Sequence, residues 1–377
     1  MLILLLDNSS NVVHDTEQPN LNLILQTRTV RTFYRQEDGF YVKMKNMKYQ
    51  DRIYGIIEIN EPVILDLIES PSVQRMKGVD QHGYFEPYFP GTAYNRFEHS
   101  LGVFILLKKF GVPLLEQIAG LLHDISHTVF SHVADYVFSN GSETKQSFQD
   151  DCLEEFIKKS EIPEILKKYE INYEDILDDS KFPIKEKELP DLCADRIDYF
   201  LRELKVTDKA NQEEINEFLD SFTIVNNLWI FKNRKLAKKY ADLFLKINNW
   251  FWSGIETAVM FKTMGDLVKY AIEKKILTKD DLFTTDEEVW AKIKPVVDGD
   301  SDLKLLVDRA NNKFGYKSHN KNDYDLHALC KSRVVDPLFL EEEKLKRVSE
   351  IDAKFLKLKE KYSKPKEYYI KFLKRRS

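Results

Sequence analysis

Four of the eight histidines in this chain lie between Arg96 and Asp135. One of them, His123, is followed directly by Asp124 at the end of the apolar run AGLLHDI. Two polar groups side by side on a buried helix need partners, because an isolated buried charge is costly. Imidazole and carboxylate together suit Zn, Mn, Fe, Co or Ni rather than Ca. The cluster therefore predicts a divalent metal site enclosed by apolar helices.

His127 adds to this pattern, since it follows His123 by four residues and Asp124 by three. On an uninterrupted helix that spacing places all three side chains on one face. A break near Ser126 leaves the geometry open. The alternative is that these histidines cap helix ends or satisfy polar groups of the core. As a set of four beside an aspartate, they favour the metal interpretation.

The composition indicates helices and a reducing environment. Only 13 Gly and 12 Pro in 377 residues favour long helices over a turn-rich β-protein, and 43% hydrophobic residues allow a sizeable core. The length fits one large domain with appendages or two domains. Cys152, Cys193 and Cys330 are scattered and form neither a disulfide framework nor a CxxC metal motif. We therefore expect a cytoplasmic protein.

No feature of the sequence predicts a membrane protein. The apolar start MLILLL has no basic flank and no cleavage site, so we interpret it as a buried strand rather than a signal peptide. No stretch approaches the 18–20 apolar residues of a membrane span. The net charge of −5 is small and gives no general sign of a nucleic-acid partner.

Periodicity predicts a mainly α fold with small β elements at the N-terminus and an α+β C-terminal region. Strands are expected at 2–6, 39–45, 55–60 and 332–340. Helices are expected at 62–78, 96–110, 113–124, 146–160, 161–170, 189–204, 236–276 and 341–362. The predicted domains are a strand-containing segment at 1–60, a helical domain at 61–276 and a C-terminal region with a Lys-rich helix at 277–377.

Three motifs follow one another along the chain: RFEHSLGV (96–103), AGLLHDISHTVFSH (119–132) and ADRIDYFLRE (194–203). In this order and spacing they resemble the HD-domain phosphohydrolases, and within them the dNTP triphosphohydrolase (SAM-and-HD-domain-like) branch and its bacterial relatives. The resemblance begins near Lys48 and fades after 204. It implies an HD-domain helical bundle over 61–276 and a metal-dependent enzyme that hydrolyses phosphate esters.

The resemblance also implies the metal ligands. In the family, the histidine of the first motif, the HD pair and a distant aspartate bind the ion, and these positions are His99, His123, Asp124 and Asp195. Two imidazoles and two carboxylates nearly neutralise a divalent cation and leave coordination positions for water and a phosphate oxygen. The ion itself is left open among Mn, Fe, Ni, Co, Zn and Mg.

Further roles follow from the same resemblance. His132 would donate a proton to the leaving oxygen, a step typically worth about 10²–10⁴ in rate, with help from His127 and Asp135. The expected substrate contacts are Arg96, Arg196, Tyr199, Arg202 and Gln81. Read from the residues alone, Arg96 and Arg202 also fit surface salt bridges, and Tyr199 and His132 also fit core packing.

One departure from the family pattern keeps other functions open. A further catalytic histidine is replaced by Phe148, which cannot shuttle a proton. The first alternative is a nucleotide-binding regulatory or assembly protein with weak or lost catalysis. The second is a nucleotide phosphodiesterase or phosphomonoesterase.

The expected partners are a nucleotide substrate, with a (d)NTP favoured, and further copies of the chain in a dimer or larger oligomer, as the resemblance implies. A nucleic-acid partner is not favoured, because the Lys-rich stretch 343–376 fits a solvated helix face better than a binding surface. The aromatic stretch NNWFWSG (248–254) fits core packing better than a platform for a base.

Overall fold

The computed structural model describes the backbone of residues 28–35, 41–138 and 141–376, and the side chains of residues 46–138 and 141–376. Helices dominate, with small sheets towards both ends, so the predicted fold class is confirmed. The strand expected at 2–6 lies outside the described residues. Within them, no helix is long and apolar enough to cross a membrane.

Fifteen α-helices lie in the described part of the chain. Their bounds are α1 (Pro62–Glu69), α2 (Pro71–Arg75), α3 (Arg96–Lys109), α4 (Leu114–Leu122), α5 (Ala134–Val137), α6 (Phe148–Lys159), α7 (Ile162–Lys167), α8 (Ala194–Val206), α9 (Gln212–Ser221), α10 (Arg234–Ile247), α11 (Ile255–Glu273), α12 (Asp286–Ile293), α13 (Ser301–Ala310), α14 (Val348–Ile351) and α15 (Ala353–Tyr362). A π-helical turn, Asn248–Trp252, joins α10 to α11.

Ten strands form three small sheets. Their bounds are β1 (Arg28–Arg35), β2 (Tyr41–Asp51), β3 (Gly55–Ile59), β4 (Phe222–Val225), β5 (Leu228–Phe231), β6 (Phe314–Ser318), β7 (Leu326–Cys330), β8 (Leu338–Glu341), β9 (Lys344–Arg347) and β10 (Lys366–Arg375). The sheet orders are β1-β2-β3, β6-β10-β7 and β4-β5-β8-β9. Pairing is antiparallel except between β5 and β8.

Helix α3 runs through the centre of the molecule. Its residues from Arg96 to Leu107 are all buried, including the polar Arg96, Glu98 and His99 of its first turns. Leu101 and Ile105 belong to an apolar cluster formed with α1, α4 and α7. Val103 and Leu106 belong to a second, larger cluster that extends from Ile53 to Ile370. The first turn of α3 is therefore held rigidly from both sides.

A glycine allows α3 to approach α8 closely. A Cβ atom added to Gly102 would collide with the side chains of Arg202 and Asp198 on α8. Close backbone approach of this kind is one of the situations that require glycine. It brings the first turns of α3 and α8 together.

The C-terminal region differs from the sequence prediction. Only the end of the strand expected at 332–340 is present, as β8. The helix expected at 341–362 is wrong over its first turns, where β8 and β9 form a hairpin. The Lys-rich end is also not helical, because β10 pairs with both β6 and β7 and buries Ile370 completely. Lysines on the solvent side of a strand gave this segment the composition of an exposed helix.

The two apolar clusters do not follow the domain boundaries expected from the sequence. The larger one joins residues of all three segments on the described chain, including Ile53, Phe200 and Phe355. The boundaries at 60 and 276 therefore remain a prediction about folding units.

Candidate functional site

Three helices bring the predicted metal ligands together. His99 lies in the first turns of α3, whose N-cap is the Asn95 side chain. His123 and Asp124 follow the last turn of α4, and Asp195 lies in the first turn of α8. Because α3 packs against both α4 and α8, side chains far apart in sequence meet at one point.

The ligand atoms converge. The Nε2 atom of His99 lies 2.9 Å from Asp195 Oδ1 and 3.6 Å from Asp124 Oδ2. The Nε2 atom of His123 lies 3.5 Å from Asp124 Oδ1 and 3.4 Å from Asp195 Oδ1. His99, His123 and Asp124 form a group whose ligand atoms all lie within 4.8 Å of one another. All four predicted ligands thus surround one small volume.

Hydrogen bonds on the far side of each imidazole direct its other nitrogen inward. His123 Nδ1 lies 2.8 Å from the carbonyl oxygen of Gly120, which can only accept, so Nδ1 carries the proton. The Nε2 atom is buried, faces the carboxylates of Asp124 and Asp195 and has no hydrogen-bond partner in the described part of the chain. Although burial acts to lower the pKa of His123, these carboxylates raise it, so the position between them favours a positive charge. A divalent metal supplies such a charge in place of a proton, and the donor set therefore fits a divalent metal.

Asp198, which the sequence analysis missed, orients His99. Its Oδ2 lies 2.8 Å from His99 Nδ1. Although burial acts to raise the pKa of Asp198, the Arg202 guanidinium and His99 bring this pKa below its ordinary value. A carboxylate behind a metal-binding imidazole fixes the tautomer and increases the basicity of the ligand nitrogen. Asp198 follows Asp195 by three residues, which places both on one face of a helix. This spacing in the sequence could have indicated that Asp198 lies near the ligand set.

A strained turn places His127 and His132 beside the ligand set. Phe130 and Ser131 have φ values of 53° and 51°, a left-handed conformation that costs non-glycine residues about 1–3 kcal/mol each. The turn is held by the Phe130 amide, which donates to Asp286 at 2.7 Å, and by Arg96, which donates to Ser131 Oγ at 2.9 Å. The imidazoles of His127 and His132 meet edge to face with centroids 5.0 Å apart.

Both of these imidazoles are neutral. Burial and the nearby Arg96 lower the pKa of His127 to about 4. Burial, His127 and Arg96 hold the pKa of His132 well below its ordinary value. Asp135 lies behind His132, with 3.6 Å between Oδ2 and Nδ1, and burial raises the pKa of Asp135 to about 6. The predicted trio is therefore assembled, with His132 at the cleft and Asp135 behind it.

Arg96 is part of the cluster rather than a free cation. Its Nη1 lies 2.5 Å from Asp124 Oδ2, and its Nη2 donates to the Gln81 carbonyl at 2.9 Å. Although burial opposes ionisation, Arg96 and His123 hold the pKa of Asp124 well below its ordinary value. Arg96 thus keeps Asp124 ionised and leaves two of its five N–H groups for other contacts.

These side chains line a cleft of about 850 Å³. Of the predicted substrate contacts, Gln81, Arg96, Arg196 and Tyr199 lie on its wall. Arg196 is anchored by donating to the carbonyl oxygens of Asp191 at 2.7 Å and Lys187 at 3.0 Å. The buried Gln81 Oε1 has no hydrogen-bond partner among the described residues, so it is available to a ligand.

Arg202 corrects one prediction. Its side chain is completely buried and donates to Asp51 at 2.8 Å, to Glu98 at 2.8 Å and to Asp198 at 2.8 Å. It does not line the cleft, because its guanidinium is held by these three carboxylates where α8 packs against Gly102 of α3. Arg202 therefore stabilises the fold, and Glu203 occupies the position at the cleft wall.

Phe148 begins α6 and packs with its ring stacked on Phe138 at 5.0 Å. It does not line the cleft, whereas its neighbour Gln149 does. The cleft wall also includes Lys331 and Arg333 from the C-terminal region. No motif or spacing in the sequence pointed to these two cations, since they lie more than a hundred residues from the last recognised motif.

Comparison with known proteins relates the chain to metal-dependent phosphohydrolases. The HD domain family model matches residues 96–203. The uncharacterized protein YdhJ of Bacillus subtilis is 34% identical over 333 residues, which are 87% of this chain and 100% of that protein. The metal-dependent phosphohydrolase cns2 of Cordyceps militaris is 31% identical over 256 residues, 65% of this chain and 72% of that protein. The zebrafish deoxynucleoside triphosphate triphosphohydrolase SAMHD1 is 38% identical, but over only 24% of this chain and 17% of its own.

The fold has solved counterparts. A phosphohydrolase from Bacteroides thetaiotaomicron superposes with a TM-score of 0.67 at 16% identity, covering 88% of this chain and 100% of that one. At this identity the likeness concerns the fold alone. Together with the relatives above, the metal-ligand geometry identifies a metal-dependent hydrolase. The chain belongs to the HD-domain family of metal-dependent phosphohydrolases.

Proposed function

We propose that this phosphohydrolase acts on a nucleotide, with a (deoxy)nucleoside triphosphate as the preferred class, and that His99, His123, Asp124 and Asp195 hold its metal. The partial similarity to the SAMHD1 triphosphohydrolases supports the substrate class. The convergence of all four ligands at one point supports the metal assignment.

The observation that carries the nucleotide assignment is the shape of the cleft beyond the metal ligands. Its lining includes Phe85, Trp252 and Phe261 together with the amide of Gln81. Apolar walls with a few placed polar groups are typical of small-molecule sites. Aromatic rings and an amide suit a base and a sugar better than they suit bare phosphate.

The proposed chemistry divides between the cation and the protein. A divalent ion held by His99, His123, Asp124 and Asp195 would lower the pKa of a water molecule and withdraw charge from phosphorus. Arg196 holds a phosphate oxygen, and Arg96 keeps Asp124 ionised. The water oxygen would bond to the α-phosphorus and release one proton to solvent while the bond to the nucleoside O5′ breaks, and protonated His132 supplies the proton that this leaving oxygen takes up. The products are a nucleoside and triphosphate.

His132 suits this role only when substrate is present. Arg96, Arg333 and Lys331 are among the charges that lower the pKa of His132 in the free protein, after burial and His127. A bound phosphate chain offsets these positive charges and raises the pKa of His132. Proton donation is thereby coupled to occupancy of the cleft.

The test is hydrolysis of a nucleotide panel with Mn, Fe, Ni, Co, Zn and Mg supplied in turn, with products separated by anion exchange. Release of intact triphosphate that is lost in His123→Ala supports the proposal. A monophosphate product would indicate a phosphodiesterase, and orthophosphate from a monophosphate would indicate a phosphomonoesterase. Tight nucleotide binding without turnover would indicate a regulatory protein.

We also propose that the chain assembles as a dimer or larger oligomer, as is implied for this branch of the family. Size-exclusion chromatography with light scattering measures the mass directly. A mass of one 44.4 kDa chain at all concentrations and with nucleotide present would contradict the proposal.

A further inference from the structure

Two cations in the cleft come from outside the family segment. Lys331 and Arg333 follow β7, whereas the matched HD domain ends at residue 203. Both side chains line the cleft that contains the metal ligands. They are partly buried, so their charges are only partly solvated.

Neither cation has a carboxylate partner. In the described part of the chain, Lys331 forms no side-chain hydrogen bond or ion pair, and the Arg333 guanidinium donates only to the neutral amide of Gln146, at 2.8 Å. Arg96, by contrast, is paired with Asp124. Partly buried charges without partners are costly, so a site that retains two of them is suited to an anion from outside.

The surrounding acids offset the charge of this pair only in part. Burial and the Asp124 charge raise the pKa of Asp150 to about 6, and burial holds the pKa of Glu203 well above its ordinary value. Burial and the adjacent Arg333 lower the pKa of Lys331 to about 8, although the charges of Asp150 and Glu186 act in the opposite direction. Since no carboxylate among the described residues forms an ion pair with either cation, their mutual repulsion is only partly relieved.

The segment that carries them is held in place. Asn248, in the π-helical turn between α10 and α11, is completely buried. It accepts the Arg333 amide at 2.7 Å and donates to Ser332 Oγ at 2.9 Å. The same turn places Trp252 on the cleft wall. A rigid backbone lowers the entropic cost of positioning the two cations for a ligand.

We propose that Lys331 and Arg333 form a second anion subsite, which binds the phosphates of the substrate that lie away from the metal and so selects polyphosphates over monophosphates. The assignment deepens the proposed function and rests on it for the position of the scissile phosphate. Arg333 offers a planar fork to a phosphate oxygen pair, and Lys331 offers a point charge.

The experiment measures binding of inorganic triphosphate and orthophosphate to the metal-loaded protein by calorimetry. In Lys331→Gln/Arg333→Gln, the affinity for triphosphate should fall about 10- to 100-fold, while that for orthophosphate should change less than about twofold. Arg333→Lys keeps the charge but loses the planar fork. Its affinity for triphosphate should therefore lie between that of the unsubstituted protein and that of the double variant. Equal weakening for both anions, or no change for either, overturns the subsite.

The matched control is Lys246→Gln/Lys269→Gln, which removes the same charge from exposed positions on α10 and α11. It should leave both affinities unchanged, and a loss equal to that of the test variant would overturn the subsite. If the double variant does not fold by circular dichroism, Arg333→Gln alone replaces it.

Triphosphate binding that depends on Arg333 without nucleotide turnover would uphold the subsite and reject the proposed function. Nucleotide turnover with unaltered triphosphate affinity in the variant would uphold the proposed function and reject the subsite.

Discussion

Two charged clusters lie side by side where α3 meets α8, and they differ in how completely their groups are satisfied. Around Arg202, a guanidinium and the carboxylates of Asp51, Glu98 and Asp198 are buried and directly paired. Around His99, imidazoles and carboxylates converge, and one ring nitrogen, His123 Nε2, has no hydrogen-bond partner among the described residues. The cluster around Arg202, whose groups are all paired, supports the fold. The cluster around His99 retains an unpaired group that can bind a cation.

Asp198 belongs to both clusters. It accepts from Arg202 Nε at 2.8 Å on one side and faces His99 Nδ1 at 2.8 Å on the other. The Arg202 cluster therefore fixes the orientation of His99, a proposed metal ligand in the other cluster. Substitutions on each side of Asp198 should separate stability from activity.

The largest effect is expected from Asp195→Asn, which keeps the side-chain shape but removes a charge from the functional cluster. We expect kcat/KM to fall by at least about 10³, because a divalent ion contributes several kcal/mol to such reactions. Steady-state release of triphosphate measures it. The exposed Asp208→Asn, just beyond the same helix, should retain activity. Near-normal activity in Asp195→Asn would exclude Asp195 as a ligand.

Arg202→Met should instead affect stability, with a loss of about 3–5 kcal/mol in the free energy of unfolding. The reason is that three buried carboxylates lose their common partner. Urea denaturation measures this quantity. Arg234→Met removes an exposed ion pair with Glu341 and should cost far less, because solvent screens such pairs. Equal losses for the two variants would contradict the distinction between the clusters.

A smaller effect, in metal affinity, is expected from Asp198→Asn, since loss of the carboxylate behind a ligand imidazole typically weakens metal binding about 10- to 100-fold. Competition with a fluorescent chelator reports this affinity. Tyr54→Phe removes a different hydrogen bond to the same carboxylate, at 2.8 Å, and leaves the His99 contact in place. We expect Tyr54→Phe to bind metal more tightly than Asp198→Asn; the opposite order would argue against orientation through His99.

The smallest effect concerns pH in the metal-free protein. Burial acts to lower the pKa of His99, but hydrogen bonds to Asp195 and Asp198 raise this pKa from 6.5 to about 9. A raised histidine pKa contributes stability that is complete below pH 6.5 and is lost as pH rises through about 9. The melting temperature of the metal-free protein should therefore decline across this window, and that of His99→Asn should decline less. Bound metal replaces the proton, so the metal-loaded protein should lack this decline.

Much of the fold could be predicted because its signals are local. The helices α3 and α4 match the predicted segments within two residues at each end, since their apolar periodicity and the Asn95 cap are written in neighbouring residues. The strand β10 was missed for the opposite reason. Its identity depends on pairing with β6 and β7, and its lysines match a helical composition equally well.

By itself, the sequence determined the chemistry of this protein: three motifs supplied two imidazoles and two carboxylates, and the family they indicate. The tertiary structure decided which side chains face the cleft. Arg202 and Glu203 are adjacent in sequence, yet one is buried among carboxylates and the other lies at the wall, because one residue on a helix corresponds to a rotation of about 100°. Lys331 and Arg333 reached the cleft only through the packing of the C-terminal region, a long-range contact that no local pattern encodes.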